Sequence, residues 1–550
     1  MTEEQTSTPD AAPAAAPDPP AAPAAPAAAP TPGPTDPIEE AIAPGYAFEG
    51  PALELGGLMT GPDRLSGSTI RIPLAMLNRH GLVAGATGTG KTKTLQLMAE
   101  QLSAAGVPVF AADIKGDLSG IATAGEANDK LLARTKSVGQ DWTATAFPVE
   151  YYALGGQGIG IPIRVTVSSF GPILLSRVLG LNDTQESSLG LVFHYADKQG
   201  LPLLDLQDLR AVVQHLTSPE GKPDLKELGG LSSATAGVIL RELIGFADQG
   251  AEAFFGEPEF DSADLLQQAA DGRGLVNLVE LPNLQDRPAI FSTFLMWLLA
   301  DLFHDLPEVG DIDQPKLVFF FDEAHLLFKD ASKPFLEQIA QTVRLIRSKG
   351  VGVFFVTQSP TDVPDDVLAQ LGSRIQHQLR AHTPNDAKAL KATVNTYPRS
   401  AYADLGEVIT TLGIGEAIVT VMGEKGAPTP VAWTRLRAPE SLMAPSSAAS
   451  MEATVAASPR QAKYAEVVDR ESAREILAKK LEEGAQAEAD EKAEKPAAKG
   501  KPAPKAKKDD GNAAGEIVKD VVKSSAFKQF MRTAAAEIAR GMFGTARRRR

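Results

Sequence analysis

The sequence predicts an α/β protein built on a mainly parallel, doubly wound sheet, and three observations predict it. Short apolar runs alternate with helical patterns from Leu82 onward, the rhythm of strand–helix–strand units. Several of these runs are continuous rather than alternating, the mark of strands covered on both faces. The third is Gly85-Ala86-Thr87-Gly88-Thr89-Gly90-Lys91-Thr92, which meets the pattern G-x-x-x-x-G-K-[ST] at every required position. Leu82-Val83-Ala84 leads into it as a buried strand, and Leu95, Leu97, Met98 and Leu102 follow as one helical face. That strand–loop–helix context is the one the phosphate loop requires.

Taken in order, residues 1–44 are Ala- and Pro-rich, with eleven prolines by position 37. They predict a disordered, extended tail. Residues 45–80 predict short strands beside the nucleotide site, Tyr46–Phe48 and Thr69–Ile72, punctuated by Gly56-Gly57 and Gly61-Pro62. The main strand series is then Leu82–Ala84, Val107–Ile114, Ile163–Val167, Leu275–Leu281, Lys316–Phe321, Val351–Thr357 and Ile375–Leu379. Residues 170–270 interrupt it with helical patterns, including Ile173–Leu179, Leu206–Leu216 and one opened by Asn182-Asp-Thr-Gln-Glu with Asp183 as its cap. They read as an inserted helical subdomain within a core of residues 45–438. Beyond it come a linker (439–460), a charged helix (461–490), a disordered Lys/Ala/Pro linker (491–512) and an amphipathic helix with a basic end (513–550). No internal repeat is evident.

The residue types of the phosphate loop follow from its task. Gly85, Gly88 and Gly90 allow left-handed backbone and close approach of a ligand. Successive N–H groups, with a helix N-terminus behind them, favour phosphate oxygens. Lys91 reaches the β- and γ-phosphates, and the Thr92 hydroxyl can ligate Mg²⁺.

Hydrolysis needs a second element. Lys316-Leu-Val-Phe-Phe-Phe-Asp-Glu-Ala-His325 delivers adjacent carboxylates to the end of a buried strand. Asp322 can hold Mg²⁺ through water, and Glu323 can polarise the attacking water. A third strand, Val351–Thr357, ends in Gln358. That amide either contacts the γ-phosphate or the water, or is an ordinary polar strand end. His325 either orients the acids or packs in the core.

Together, the phosphate loop, the strand ending Asp322-Glu323-Ala-His325 and the strand ending Thr357-Gln358 resemble the HerA/FtsK group of motor ATPases. Asp113-Ile-Lys-Gly-Asp-Leu-Ser-Gly120, Leu371-Gly-Ser-Arg-Ile-Gln-His-Gln-Leu-Arg-Ala381 and the final Ala-Arg-Gly-Met-Phe-Gly are similar to the HerA-like, YjgR-type proteins of bacteria. The resemblance implies a RecA-like core using ATP and Mg²⁺, a homo-oligomeric ring, hexameric in many relatives, and action on double-stranded DNA. It also implies an arginine supplied by a neighbouring subunit, for which Arg344, Arg347 and above all Arg374 are candidates. It stops short of the large N-terminal barrel of HerA, since only a short β region precedes Leu82. The membrane helices and the DNA-reading winged domain of FtsK have no counterpart.

Composition narrows the classes. Without cysteine there is no disulfide, thiolate metal site or cysteine nucleophile. The seven histidines are scattered singly, and Ser359 lacks a G-x-S-x-G context, so neither a zinc site nor a serine hydrolase is indicated. No apolar run reaches the roughly 18 residues of a membrane span, and the N-terminus lacks a secretion signal, so a cytoplasmic location is expected. The net charge of −15 argues against general nucleic-acid affinity; any DNA contact uses local patches or a ring channel. A second reading stays open, a nucleotide-controlled assembly protein that recruits an unknown protein partner through its tails. The C-terminal stripe has three candidate partners: protein, DNA phosphates or an anionic membrane surface.

Overall fold

Twelve strands form one sheet in the computed structural model, which describes residues 36–494 apart from 228–229, 282–287, 329–330, 332 and 424. In chain order they are β1 (Ala52–Gly61), β2 (Arg64–Pro73), β3 (Gly81–Ala84), β4 (Val109–Asp113), β5 (Val149–Leu154) and β6 (Ile161–Ile163). Then follow β7 (Val276–Glu280), β8 (Leu317–Phe321), β9 (Val351–Thr357), β10 (Ser373–Gln376), β11 (Glu416–Thr420) and β12 (Ala432–Leu436). Their order across the sheet is β2-β1-β12-β11-β10-β3-β9-β8-β4-β7-β5-β6. From β10 to β6 every pairing is parallel. From β10 to β2 every pairing is antiparallel. One strand, β9, separates the phosphate-loop strand β3 from the acid strand β8, the RecA-like arrangement.

Why the parallel strands read as unbroken apolar runs is visible in β8. Phe319 and Phe321 pack into the core on one face of the sheet. Val318 and Phe320 pack into the core on the other. Side chains alternate faces with period two, so a strand covered on both sides must be apolar at every position. Phe319, Phe320 and Phe321 are all fully buried. Each such ring removed from water stabilises the fold by roughly 1.5–3 kcal/mol.

The helices between β6 and β7 form the expected insertion: Pro172–Val178, Asp183–Lys198, Leu206–Thr217 and Ser233–Asp248, packed through Leu189, Val192, Leu209, Val213, Ile239 and Leu243. The cap of the second is Asn182 rather than Asp183. Its side chain accepts from the Gln185 N–H while the Gln185 side chain accepts from the Asn182 N–H, a reciprocal capping box.

Other expectations change. Tyr46 closes a 3₁₀ turn, Ala43–Tyr46, instead of opening a strand. Its hydroxyl lies 2.7 Å from the Pro430 carbonyl and 2.9 Å from the Val419 carbonyl, both of which can accept from it. A helix, Pro37–Ile42, capped by Asp36, lies inside the predicted tail, so the tail reading applies only to residues 1–35, outside the described residues. Gly56-Gly57 is interior to β1, opposite Leu436 and Arg435 of β12. Ile163–Val167 is strand only to Ile163; Thr166 caps a helical turn, Val167–Phe170. The last strand of the parallel set, read as Ile375–Leu379, lies at Ser373–Gln376.

The predicted linker at 439–460 is an ordered strap. The buried Glu100 carboxylate accepts from the N–H groups of Glu440 (2.7 Å) and Ser441 (3.1 Å) and from the Ser441 hydroxyl. Gln96 donates to Ser441 Oγ and to the Leu442 carbonyl. The strap therefore clamps the helix that follows the phosphate loop. The charged helix starts later than predicted, at Ala473, and runs to Glu494. The readings for 495–512 and for the basic C-terminal helix fall outside the described residues.

Candidate active site

Parallel strands in register end together, and here the ends of β3, β9, β8 and β4 meet at one edge. Ala84 pairs with Thr357, Phe321 with Phe355, and Ala112 with Phe321. The residues just past those ends are the phosphate loop, Gln358, Asp322-Glu323 and Asp113-Ile114-Lys115. Ligands of open α/β sheets gather at this edge.

The loop is pinned from below. Gly85 N–H donates to the Thr357 carbonyl (3.2 Å) and Ala86 N–H to the Gln378 carbonyl (2.8 Å). Gly88 and Gly90 sit at φ 82° and 115°, left-handed conformations that other residues rarely adopt. A Cβ built on Gly88 would meet no atom within 4 Å, so the loop is open on its upper side. Behind it, helix Lys91–Ala104 begins, with Thr92 in its first turn and half-buried. An open nest at a helix N-terminus fits a phosphate.

Lys91 lies across the loop, donating to the carbonyls of Gly85 (2.7 Å) and Ala86 (3.3 Å). Burial lowers its pKa, opposed by the charges of Glu323 and Asp322. Under the loop His377 is fully buried, its Nε2 2.9 Å from Thr94 Oγ1. Burial and the Lys91 charge push the imidazole down to about 3, so it is neutral and adds no charge beside the lysine.

Asp322 and Glu323 turn the chain at the end of β8. Asp322 is 2% exposed; its Oδ1 accepts from the Glu323 N–H (2.9 Å), and its Oδ2 is buried without a hydrogen-bond partner. Burial, and then the charge of Glu323, raise its carboxyl to about 7. An orphaned carboxylate oxygen costs free energy unless something fills the place. A hard divalent cation fits, with Asp322 and the Thr92 hydroxyl as oxygen ligands. No cluster of three His, Cys, Asp or Glu able to hold a metal exists among the described residues.

Glu323 has φ 48°, left-handed for a residue with a Cβ, a strain of order 1–3 kcal/mol of the kind that collects at functional sites. Its carboxylate is ion-paired through Oε1 to Lys115. Burial opposes ionisation, but the Lys115 hydrogen bond and charge outweigh it and hold the carboxyl below its ordinary value. His325 Nδ1 lies 3.2 Å from Glu323 Oε2 without hydrogen-bond geometry.

Beside the loop a cleft of about 520 Å³ is lined by Ala86, Thr87, His325, Gln358, Asp362 and Arg380 among others. The structure thus brings Gln358 to the site, exposed, at the end of β9. It also brings Arg380, which sequence reasoning did not single out. Arg380 Nη2 is 3.4 Å from the Thr87 carbonyl. Its sequence signal was its place in the HerA-like stretch Leu371–Ala381. Arg374 is elsewhere: on β10 beside Leu82, it donates to Thr396 Oγ1 (2.5 Å) and stacks 5.9 Å from the Tyr397 ring. Arg347 pairs with Asp311 (3.7 Å) before the start of β9, at the opposite edge of the sheet, and Arg344 is exposed on the preceding helix. None of the three reaches the phosphate loop of its own chain.

The family model described as helicase HerA-like C-terminal matches residues 60–550. The chain belongs to this family. Two relatives are DNA double-strand break repair helicases HerA: that of Sulfurisphaera tokodaii is 23% identical over 355 residues, 64% of either chain. That of Sulfolobus acidocaldarius is 20% identical over 363 residues, 65% of either chain. The HerA-like chain thus spans somewhat less than two thirds of the length of these curated relatives. Among solved structures, the bacterial conjugative coupling protein TrwB is similar at TM-score 0.45 and 17% identity, covering 68% of this chain and 90% of that one. VirB4 of Thermoanaerobacter pseudethanolicus is similar at TM-score 0.46 and 13% identity, covering 71% and 98%. No described helix of this HerA-like protein is long and apolar enough to cross a membrane.

Proposed function

We propose that this HerA-like protein hydrolyses ATP with Mg²⁺ at the phosphate-loop edge, as a cytoplasmic, homo-oligomeric ring motor acting on double-stranded DNA. The observation that carries the reading is the convergence of an open phosphate loop with a buried, partly unsatisfied Asp322 and a strained, ionised Glu323. The HerA relatives are DNA double-strand break repair helicases, which supports DNA as the substrate of the work.

The N–H groups of residues 85–92 and the Lys91 ammonium bind the ATP phosphates. Thr92 and Asp322 would hold Mg²⁺, which would supply charge neutralisation at the transferring phosphoryl group. Glu323 accepts a hydrogen bond from the attacking water and aligns it. Gln358, from the neighbouring strand, contacts that water or the γ-phosphate. Arg374 is our preferred residue for donation to an adjacent subunit's site. Arg380 faces the phosphates of its own.

The test is ATPase rate with and without duplex DNA at low and moderate salt. A motor predicts stimulation that falls steeply as salt rises, because phosphate contacts release counterions. Hydrolysis indifferent to DNA would favour a nucleotide-controlled assembly protein instead.

A further inference from the structure

The loop after β4 is built to present one cation. Asp113, the last residue of β4, turns its carboxylate back on the loop. Oδ1 accepts from the Gly116 N–H (2.7 Å) and Oδ2 from the Leu118 N–H (2.8 Å). Gly116 takes φ 78°, completing the turn. Lys115 stands at the crest. Since β4 is the direct neighbour of β8, with Ala112 opposite Phe321, positions 115 and 323 both lie just past paired strand ends. Lys115 Nζ binds Glu323 Oε1 there. The lysine side chain is 41% exposed and the glutamate 7%, so the pair joins a surface cation to a buried carboxylate.

The contact answers a chemical problem. Asp322 and Glu323 are adjacent and buried at the end of β8, and a carboxylate that aligns a water must be held in one orientation. Lys115 engages Oε1, while Oε2 has no hydrogen-bond partner and lies 3.2 Å from His325 Nδ1.

We propose that Lys115 is a positioning residue for hydrolysis: by holding Glu323 Oε1 it fixes the orientation of that carboxylate towards the attacking water. This rests on the ATPase reading above. It assigns a role to the Asp113–Ser119 loop that the phosphate loop and the acid strand do not supply.

The experiment compares single-turnover ATP hydrolysis and ATP-analogue binding in five full-length proteins: wild type, Lys115→Met, Glu323→Gln, the double variant, and Lys115→Arg as rescue. Lys115→Met should lower the hydrolysis rate by about 10- to 100-fold with nucleotide affinity within about threefold of wild type. Lys115→Arg should recover most of the rate. In the Glu323→Gln background Lys115→Met should change nothing further, because the lysine acts only through that carboxylate. An unchanged rate in Lys115→Met would overturn the proposal. So would an equal further loss in the double variant, the signature of a general structural role. If Glu323→Gln itself hydrolyses normally, the assignment of Glu323 fails first, which the same data distinguish.

Discussion

Asp208 and Asp322 are almost equally buried, at 1% and 2% exposure, yet they live differently. Asp208, in the helical insertion, has both oxygens engaged. Its Oδ2 accepts from the N–H groups of Leu204 (3.0 Å) and Asp205 (3.2 Å), and its Oδ1 from Arg474 (3.0 Å). It closes the capping box of helix Leu206–Thr217 and ties on the chain that begins helix Ala473–Glu494. Asp322 accepts one N–H, leaves an oxygen orphaned and adjoins a strained neighbour. A satisfied buried acid builds structure, whereas an unsatisfied one among left-handed residues is reserved for a ligand.

Breaking the comparison is straightforward. Asp322→Asn should cut ATP turnover by about 10²-fold or more, since the cation loses its carboxylate. It should leave the melting temperature unchanged or higher without ligand, because Asn keeps the acceptor for the Glu323 N–H and removes a buried carboxyl whose Oδ2 lacks a partner. A large loss of stability would show Asp322 to be structural after all. Asp208→Ala should do the reverse, costing about 1–3 kcal/mol by stranding three N–H groups. Turnover per folded molecule should stay at the wild-type level, read by denaturant melts beside active-site titration.

Glu280, at the end of β7, sharpens the contrast through pH. Burial and the charges of Asp113 and Asp117 raise its carboxyl from 4.5 to about 8. A raised acid holds its proton in the folded state where the unfolded chain has released it. Its stabilising contribution is therefore full below about pH 4.5 and is lost as pH rises towards about 8. Glu280→Gln should flatten the fall in melting temperature between pH 5 and 8. An unchanged slope would mean that other groups carry it.

How much of this could be read from residues alone depended on how local the signal was. β3, β8 and β9 are buried on both faces, so each is an unbroken apolar run, and their ends carry the polar residues of the site. β1, β5, β11 and β12 were missed. Gly56-Gly57 looked like turn punctuation, while β11 and β12 owe their place to pairing with β10 and β1. The strap across Glu100 joins positions 341 residues apart, and the Lys115–Glu323 pair joins positions 208 apart. Neither has a local period. Each becomes visible only once strand order makes neighbours of distant segments.

The central claim is that the phosphate loop and the acid strand form one hydrolytic site. It is tested most directly by measuring ATP binding and ATP turnover side by side in wild type and Glu323→Gln. The account predicts a dissociation constant within about threefold of wild type and turnover reduced about 10²- to 10⁴-fold. Near-normal turnover in the variant would contradict it.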